Sequence, residues 1–100
     1  MKNDISILNI NKIFESKVRL GIMSILLVNE KADFNSLKGH LDVTDGNLAS
    51  HLRALEDAGY ISMEKSFINR KPNTKYSITE EGMENFKRHI KALEDLISKQ

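Results

Sequence analysis

The sequence predicts a mainly α fold with a small β-hairpin (α+β), in the order α-α-(β)-α-α-β-β-α. Three observations carry this expectation. Leu48, Leu52 and Leu55 recur at i, i+4 and i+7 in a stretch that opens after Thr44 and stops at Ala58-Gly59, which makes one apolar helical stripe with a cap at each end. Ile61, Met63 and Phe67 alternate with Ser62, Glu64 and Ser66, the two-residue period of a half-buried strand. Met83, Phe86, Ile90, Leu93 and Ile97 follow a 3-4-3-4 spacing, the pattern of a long helix with a narrow seam.

The remaining elements fall between these. Ile5, Leu8, Ile13 and Phe14 suggest a short first helix. Ser16 is placed to cap a second, and Val18 to Val28 is apolar nearly all round, as befits a helix buried at the centre of a small domain. Ala32-Asp33-Phe34 is short enough to be an edge strand, after which Asn35 or Ser36 begins a third helix with Leu37 and Leu41 turned inward. Only Asp42-Val43-Thr44 separates it from the leucine-striped helix, and two short helices joined so tightly form a helix-turn-helix. Thr74 to Thr79 reads as the partner of the first long strand, with a loop from Asn69 to Asn73 between them. Pro72 has no N–H for a ladder and is expected to keep the loop tip out of the sheet. Thr79 then caps the last helix. A helix-turn-helix followed by a basic two-stranded hairpin is the layout of a winged helix.

Residues 1–100 are expected to form a single domain, and that length buries roughly two thirds of the unfolded surface without a disulfide or metal. Cysteine is absent, which removes thiolate metal sites and fits a reducing compartment. The longest uninterrupted apolar run is Ile25 to Val28, far below a membrane span, and no signal-like segment follows Met1. A cytoplasmic protein with no membrane contact is expected. Formal net charge is only +1, but it is unevenly spread: Lys65, Arg70, Lys71 and Lys75 occur without an acid between 65 and 75.

The matched segments are specific. Gly46-Asn47-Leu48, His51-Leu52, Leu55, Ala58-Gly59-Tyr60, Glu64-Lys65, Phe67, Pro72, Thr74, Thr79 and Gly82 together resemble the winged helix-turn-helix transcriptional regulators of the MarR/ArsR-like group, in particular their small stand-alone DNA-binding members. The similarity runs from about Phe14 to the C-terminus. It implies a dimeric regulator that binds double-stranded DNA, and it names no target gene, no effector and no cofactor.

The residues support that expectation physically. Opposite the leucines, the recognition helix 44–58 carries Gly46, Asn47, Ser50, Arg53 and Ala54, small or hydrogen-bonding groups where a solvated helix would carry long charged ones. The major groove admits an α-helix read through short polar side chains near its N-terminus. Thr44 opens the row of candidate DNA-binding residues, Gly46 lets the backbone come close, Asn47 matches an adenine edge, Ser50 reads either base type or holds a phosphate, and Arg53 suits guanine or phosphate. Asp45 is discordant; helix stabilisation is the reading preferred over a cytosine contact. His51 has two readings, packing with a hydrogen bond or a phosphate contact. In the wing, 65–75, Arg70 is the candidate for the minor groove, with Lys65, Lys71 and Lys75 on phosphates.

Met83, Phe86, Ile90, Leu93 and Ile97 on a helix over 79–98, roughly 27 Å long, exceed what one small domain needs to cover, so a homodimer seam is expected there, with or without the first helix. No metal site is expected, since His40, His51 and His89 fall in three different elements. No catalytic constellation is expected either, because no nucleophile-base pair or phosphate-cradling glycine loop is present. The rival reading is a winged helix that serves as a protein-interaction module without DNA binding.

Overall fold

The computed structural model describes residues 9–98. Ile5 and Leu8 of the expected first helix lie outside that range. Within it, the expectation is corrected to a three-residue 3-10 turn, Lys12–Phe14, whose N–H at Ile13 donates to the Asn11 side chain. Phe14 leaves this turn fully buried.

Helix α1, Lys17–Val28, starts at Ser16, whose hydroxyl accepts from the Arg19 N–H. Ile22, Met23 and Leu26 form its buried face. Val28 is 80% exposed, so the last turn is not enclosed as the apolar run suggested. Strand β1, Ala32–Asp33, is followed without a gap by α2, Phe34–Leu41. The cap of α2 is Asp33, which accepts from the Ser36 N–H at 2.8 Å, so the helix begins earlier than Asn35. Asp42 ends α2 in the left-handed conformation, and Thr44 starts α3, Asp45–Asp57, by accepting from the Asn47 N–H. Leu48, Leu52 and Leu55 of α3 are buried against α1 and the sheet.

Gly59, at φ +82°, closes α3: its N–H donates to the Glu56 carbonyl and the Tyr60 N–H to the Leu55 carbonyl. This is the doubled C-terminal closure for which a left-handed residue, usually glycine, is required. It turns the chain straight into β2, Ile61–Ile68, which pairs antiparallel with β3, Lys71–Ile78, from Ile61↔Ile78 out to Ile68↔Lys71. β1 joins the other side of β3 through Ala32↔Tyr76 and Asp33↔Lys75, giving the order β1-β3-β2.

Two expectations about the hairpin are corrected. The loop is shorter than Asn69 to Asn73: the turn is Asn69-Arg70 alone, both at positive φ, the geometry of a tight two-residue hairpin turn. Pro72 therefore lies inside β3, opposite Phe67. Alternation of paired and unpaired N–H groups turns its missing donor away from β2, toward the edge that the two-residue β1 does not reach. Nor is β2 half-buried. Ile61 is in the core, but Met63 is 39% and Phe67 76% exposed, because the hairpin projects beyond the helices that would cover it.

Helix α4, Glu80–Ser98, is capped by Thr79, which accepts from the Gly82 N–H and donates to the Gly59 carbonyl at 2.7 Å. Gly82 rests against the backbone of Tyr60, where a Cβ would collide with the carbonyl. Phe86 meets Phe14 edge-on at 5.3 Å, and Tyr60 packs on Phe14 at 5.2 Å with the rings tilted by 33°. His89 is buried, its Nδ1 accepting from the Asn11 N–H at 2.9 Å. Its proton therefore sits on Nε2, and burial holds its pKa below the ordinary histidine value despite the opposing pull of Glu15. His51 is also lowered, by burial and then by Arg19. For both, the unfolded chain takes up protons at a higher pH than the folded one. Their contribution is intact above about pH 6.5 and lost as pH falls through the lowered folded values. The melting temperature is expected to fall between pH 7 and 5, and His89→Gln, which keeps an acceptor for Asn11, to flatten that slope.

Candidate nucleic-acid interface

The outward row of α3 begins at its first turn. Thr44, Asp45, Gly46, Asn47, Ala49, Ser50 and Arg53 are all exposed, while the leucines beneath them are not. A Cβ added at Gly46 would meet no atom within 4 Å. The chain's own packing thus gives no reason for a glycine that, in the first turn of a helix, costs up to about 1 kcal/mol relative to alanine. Ala49, absent from the expected set, extends the same slim surface; its exposure is invisible in a stripe drawn only through the leucines. Asp45 is answered by Lys38 of α2 at 2.8 Å, an ion pair across the helix-turn-helix that offsets the one carboxylate at this end of α3. Arg53 approaches Asp57 at 3.8 Å with both side chains largely exposed, an i,i+4 pair of about 0.3–0.5 kcal/mol. So weak a pair leaves the guanidinium available to another acceptor.

His51 is half-buried, and its Nδ1 accepts from the Arg19 Nε–H at 3.0 Å. Arg19 also donates to the Ile13 carbonyl. Sequence reasoning missed Arg19, which is 32 positions from its partner and sits in a helix whose visible signal is apolar.

The four bases of the wing do not form one cluster. Strand alternation puts Lys65 on the face of Ile61, Met63 and Phe67, and Lys71 and Lys75 on the opposite face with Glu64 and Ser66. Arg70 is at the apex between them, held at φ 67°. Left-handed backbone is rare for a residue like arginine and costs about 1–2 kcal/mol. Glu64, which adjoins the basic segment, is paired with Lys31 at 2.7 Å, and this hydrogen-bonded contact holds its carboxyl below the ordinary value. The base of the hairpin and α3 together line a groove, with Ala49, Leu52, Arg53 and, toward the end of α3, Glu56 and Asp57 on one side and Met63 and Tyr76 on the other.

The expected seam on α4 divides in two. Phe86 is 2% exposed and committed to Phe14 within its own chain, so it is not available to a partner. Ile90 and Ile97 are exposed, at 36% and 76%, and Met83 and Leu93 are half-buried. Among the described residues, no three His, Cys, Asp or Glu side chains come together in a metal-binding group, and no helix is long and apolar enough to cross a membrane.

A helix-turn-helix whose second helix shows a slim polar face beside a projecting basic hairpin is the geometry of a DNA-reading module, and residues 18–97 match the winged helix DNA-binding domain family. The chain belongs to that family. Its relatives include the uncharacterized protein MJ0432 of Methanocaldococcus jannaschii, 43% identical over 79% of this chain and 86% of that protein. Among solved structures, a transcriptional regulator homologue from Pyrococcus horikoshii OT3 superposes with a TM-score of 0.80 at 43% identity, covering 86% of this chain and 85% of that one. Bacillus subtilis PadR, solved with operator DNA, shares the fold at 13% identity and a TM-score of 0.67, over 75% of this chain and 48% of PadR. As a winged helix, the chain carries two residues that its own fold does not favour. Gly46→Ala is expected to raise the unfolding free energy by about 0.5–1 kcal/mol, and Arg70→Gly by a similar amount, in urea titrations.

Proposed function

We infer that this winged helix is a sequence-specific regulator of transcription that binds double-stranded DNA as a homodimer. The observation that carries the reading is the exposed first turn of α3, where Gly46 faces open space at a cost to helix stability that packing does not explain. Placed in a major groove, Gly46 and Ala49 let the backbone approach, and Asn47 and Ser50 meet base edges. Thr44 and the free N–H groups of the first turn face phosphate, and Arg53 takes guanine or phosphate one turn further on. With Asp45 paired to Lys38, the helix end presents little net negative charge to the backbone. Arg70 enters the adjacent minor groove from the wing apex. Lys65 on one face, and Lys71 and Lys75 on the other, hold the phosphates that border it. His51, oriented by Arg19, presents its Nε2–H toward the backbone.

Two subunits join through the exposed part of α4, from Ile90 through Leu93 to Ile97, with Met83 at its edge. The two recognition helices then address half-sites about 34 Å apart, and the operator is an imperfect inverted repeat. That PadR was solved on operator DNA supports the docking mode at the level of the fold.

Anisotropy titrations of a random duplex pool at several salt concentrations, with sequencing of the bound fraction, test this directly. Salt-sensitive enrichment of an inverted repeat is expected. Absence of binding by folded protein at low salt would shift the reading to a protein-interaction module. Arg70→Ala/Lys71→Ala is expected to weaken binding to all sequences and to lower the salt slope by about two units, leaving the oligomeric state unchanged. Ile97→Glu is expected to shift the protein toward monomer in sedimentation and to weaken operator binding in parallel.

A further inference from the structure

The wing holds a large exposed apolar group that phosphate binding does not use. Phe67 is 76% exposed on β2 and stands directly opposite Pro72 on β3. The alternation that turns the Pro72 nitrogen outward makes this a non-hydrogen-bonded pair, in which Cα atoms approach to about 4.5 Å and facing side chains are neighbours. The proline fixes its own backbone opposite Phe67. Along the same face run Met63 and then Lys65, with Tyr76 and Thr74 across from them. Ile61 and Tyr76 belong to the core, so this is the face turned toward the helices. The groove between α3 and the hairpin leads from Ala49 and Arg53 past Met63 onto this strip.

We propose that Phe67, backed by Pro72, is a non-ionic contact to the minor groove. Its ring packs on the deoxyribose and base-edge wall beside the half-site, while Arg70 enters the same groove from the apex and Lys65 engages the bordering phosphates. This rests on the DNA binding inferred above. Duplex DNA is the occupant that the charge favours: Lys65 shares the face of Phe67, Arg70 stands at the apex beside it, no acid occurs between 65 and 75, and the neighbouring Glu64 lies on the other face, paired with Lys31. A second copy of the chain would set these cations against one another. A minor groove supplies both what the cations need, flanking phosphates, and what the ring needs, apolar sugar faces; exposed apolar side chains are a general device of minor-groove binders.

The contact has a thermodynamic mark that separates it from its basic neighbours, because burying an aromatic ring releases no counterions. Binding is measured by anisotropy on two defined duplexes, alternating d(G-C) and alternating d(I-C). They share a major-groove surface and differ by the guanine amino group in the minor groove. The wild type is expected to prefer d(I-C), whose minor groove lacks the amino group in the ring's path; Phe67→Ala is expected to weaken binding to d(I-C) about tenfold at every salt concentration with an unchanged salt slope, and to narrow that preference. Phe67→Leu is expected to retain most of both. Unchanged affinity, a loss that appears as a change of slope, or an unaltered d(I-C) preference would each overturn the contact. So would a change of oligomeric state in Phe67→Ala, which would assign the strip to a second copy of the chain. If the wild type binds duplexes and the variant matches it, this contact alone is wrong. If the wild type binds neither these duplexes nor the random pool at low salt, the DNA-binding reading itself fails.

Discussion

Everything else in the molecule hangs on the junction of α3, the wing and α4. Gly59 ends the recognition helix in a conformation that favours glycine, and its carbonyl receives the Thr79 hydroxyl that also caps α4. The next residue, Tyr60, offers its carbonyl to the Thr79 N–H, supports Gly82 on its backbone and receives the Asn11 amide on its phenol oxygen. Within a few ångströms, then, the last turn of one helix, the root of the hairpin and the first turn of the other helix share the same polar groups. Phe14, Phe86 and His89 fill the space behind them. The angle between α3 and α4 is set here by short hydrogen bonds and a contact with no room for a methyl group. The dimer proposed through α4 would pass that angle directly to its two α3 helices.

The parts of this arrangement that were legible in the sequence are those whose cause is local. Caps at Ser16, Thr44 and Thr79, the glycine closure at Gly59 and the leucine stripe of α3 are each written within a few residues, and each formed where its pattern placed it. The family was legible for the same reason, since its segments are short and ordered. Burial in the hairpin was not, because period-two alternation says which residues share a face and says nothing of what lies over that face. Met63 and Phe67 alternate correctly and remain exposed. Pro72 misled because the rule against proline in a ladder concerns the paired side of a strand, and beyond Lys75 the far side of β3 is unpaired among the described residues.

The exposed surface of α3 was legible as a list and not as an arrangement. The exposed row from Thr44 to Arg53 follows from helical periodicity once the leucines are assigned inward. Its electrostatics did not follow. The Lys38–Asp45 pair closes across a turn, and Arg19 meets His51 through two helices packed side by side. Phe86 shows the same limit in α4: a heptad seam is a statement about one helix, and whether a given side chain faces its own core or a partner depends on how Phe14 has already packed.

The short reach of β1 has a consequence for the free protein. A projecting hairpin with an uncovered edge is the kind of surface on which strands of separate molecules add to one another. Along the open stretch of β3 the chain places Pro72, which has no N–H to offer such a strand, between the charged Lys71 and the rest of the edge. The twisted, cationic apex repels its counterparts in other copies. The residue that stiffens the wing thus also removes a donor that an added strand would need along this edge of β3, while the outer edge of β2 stays open among the described residues.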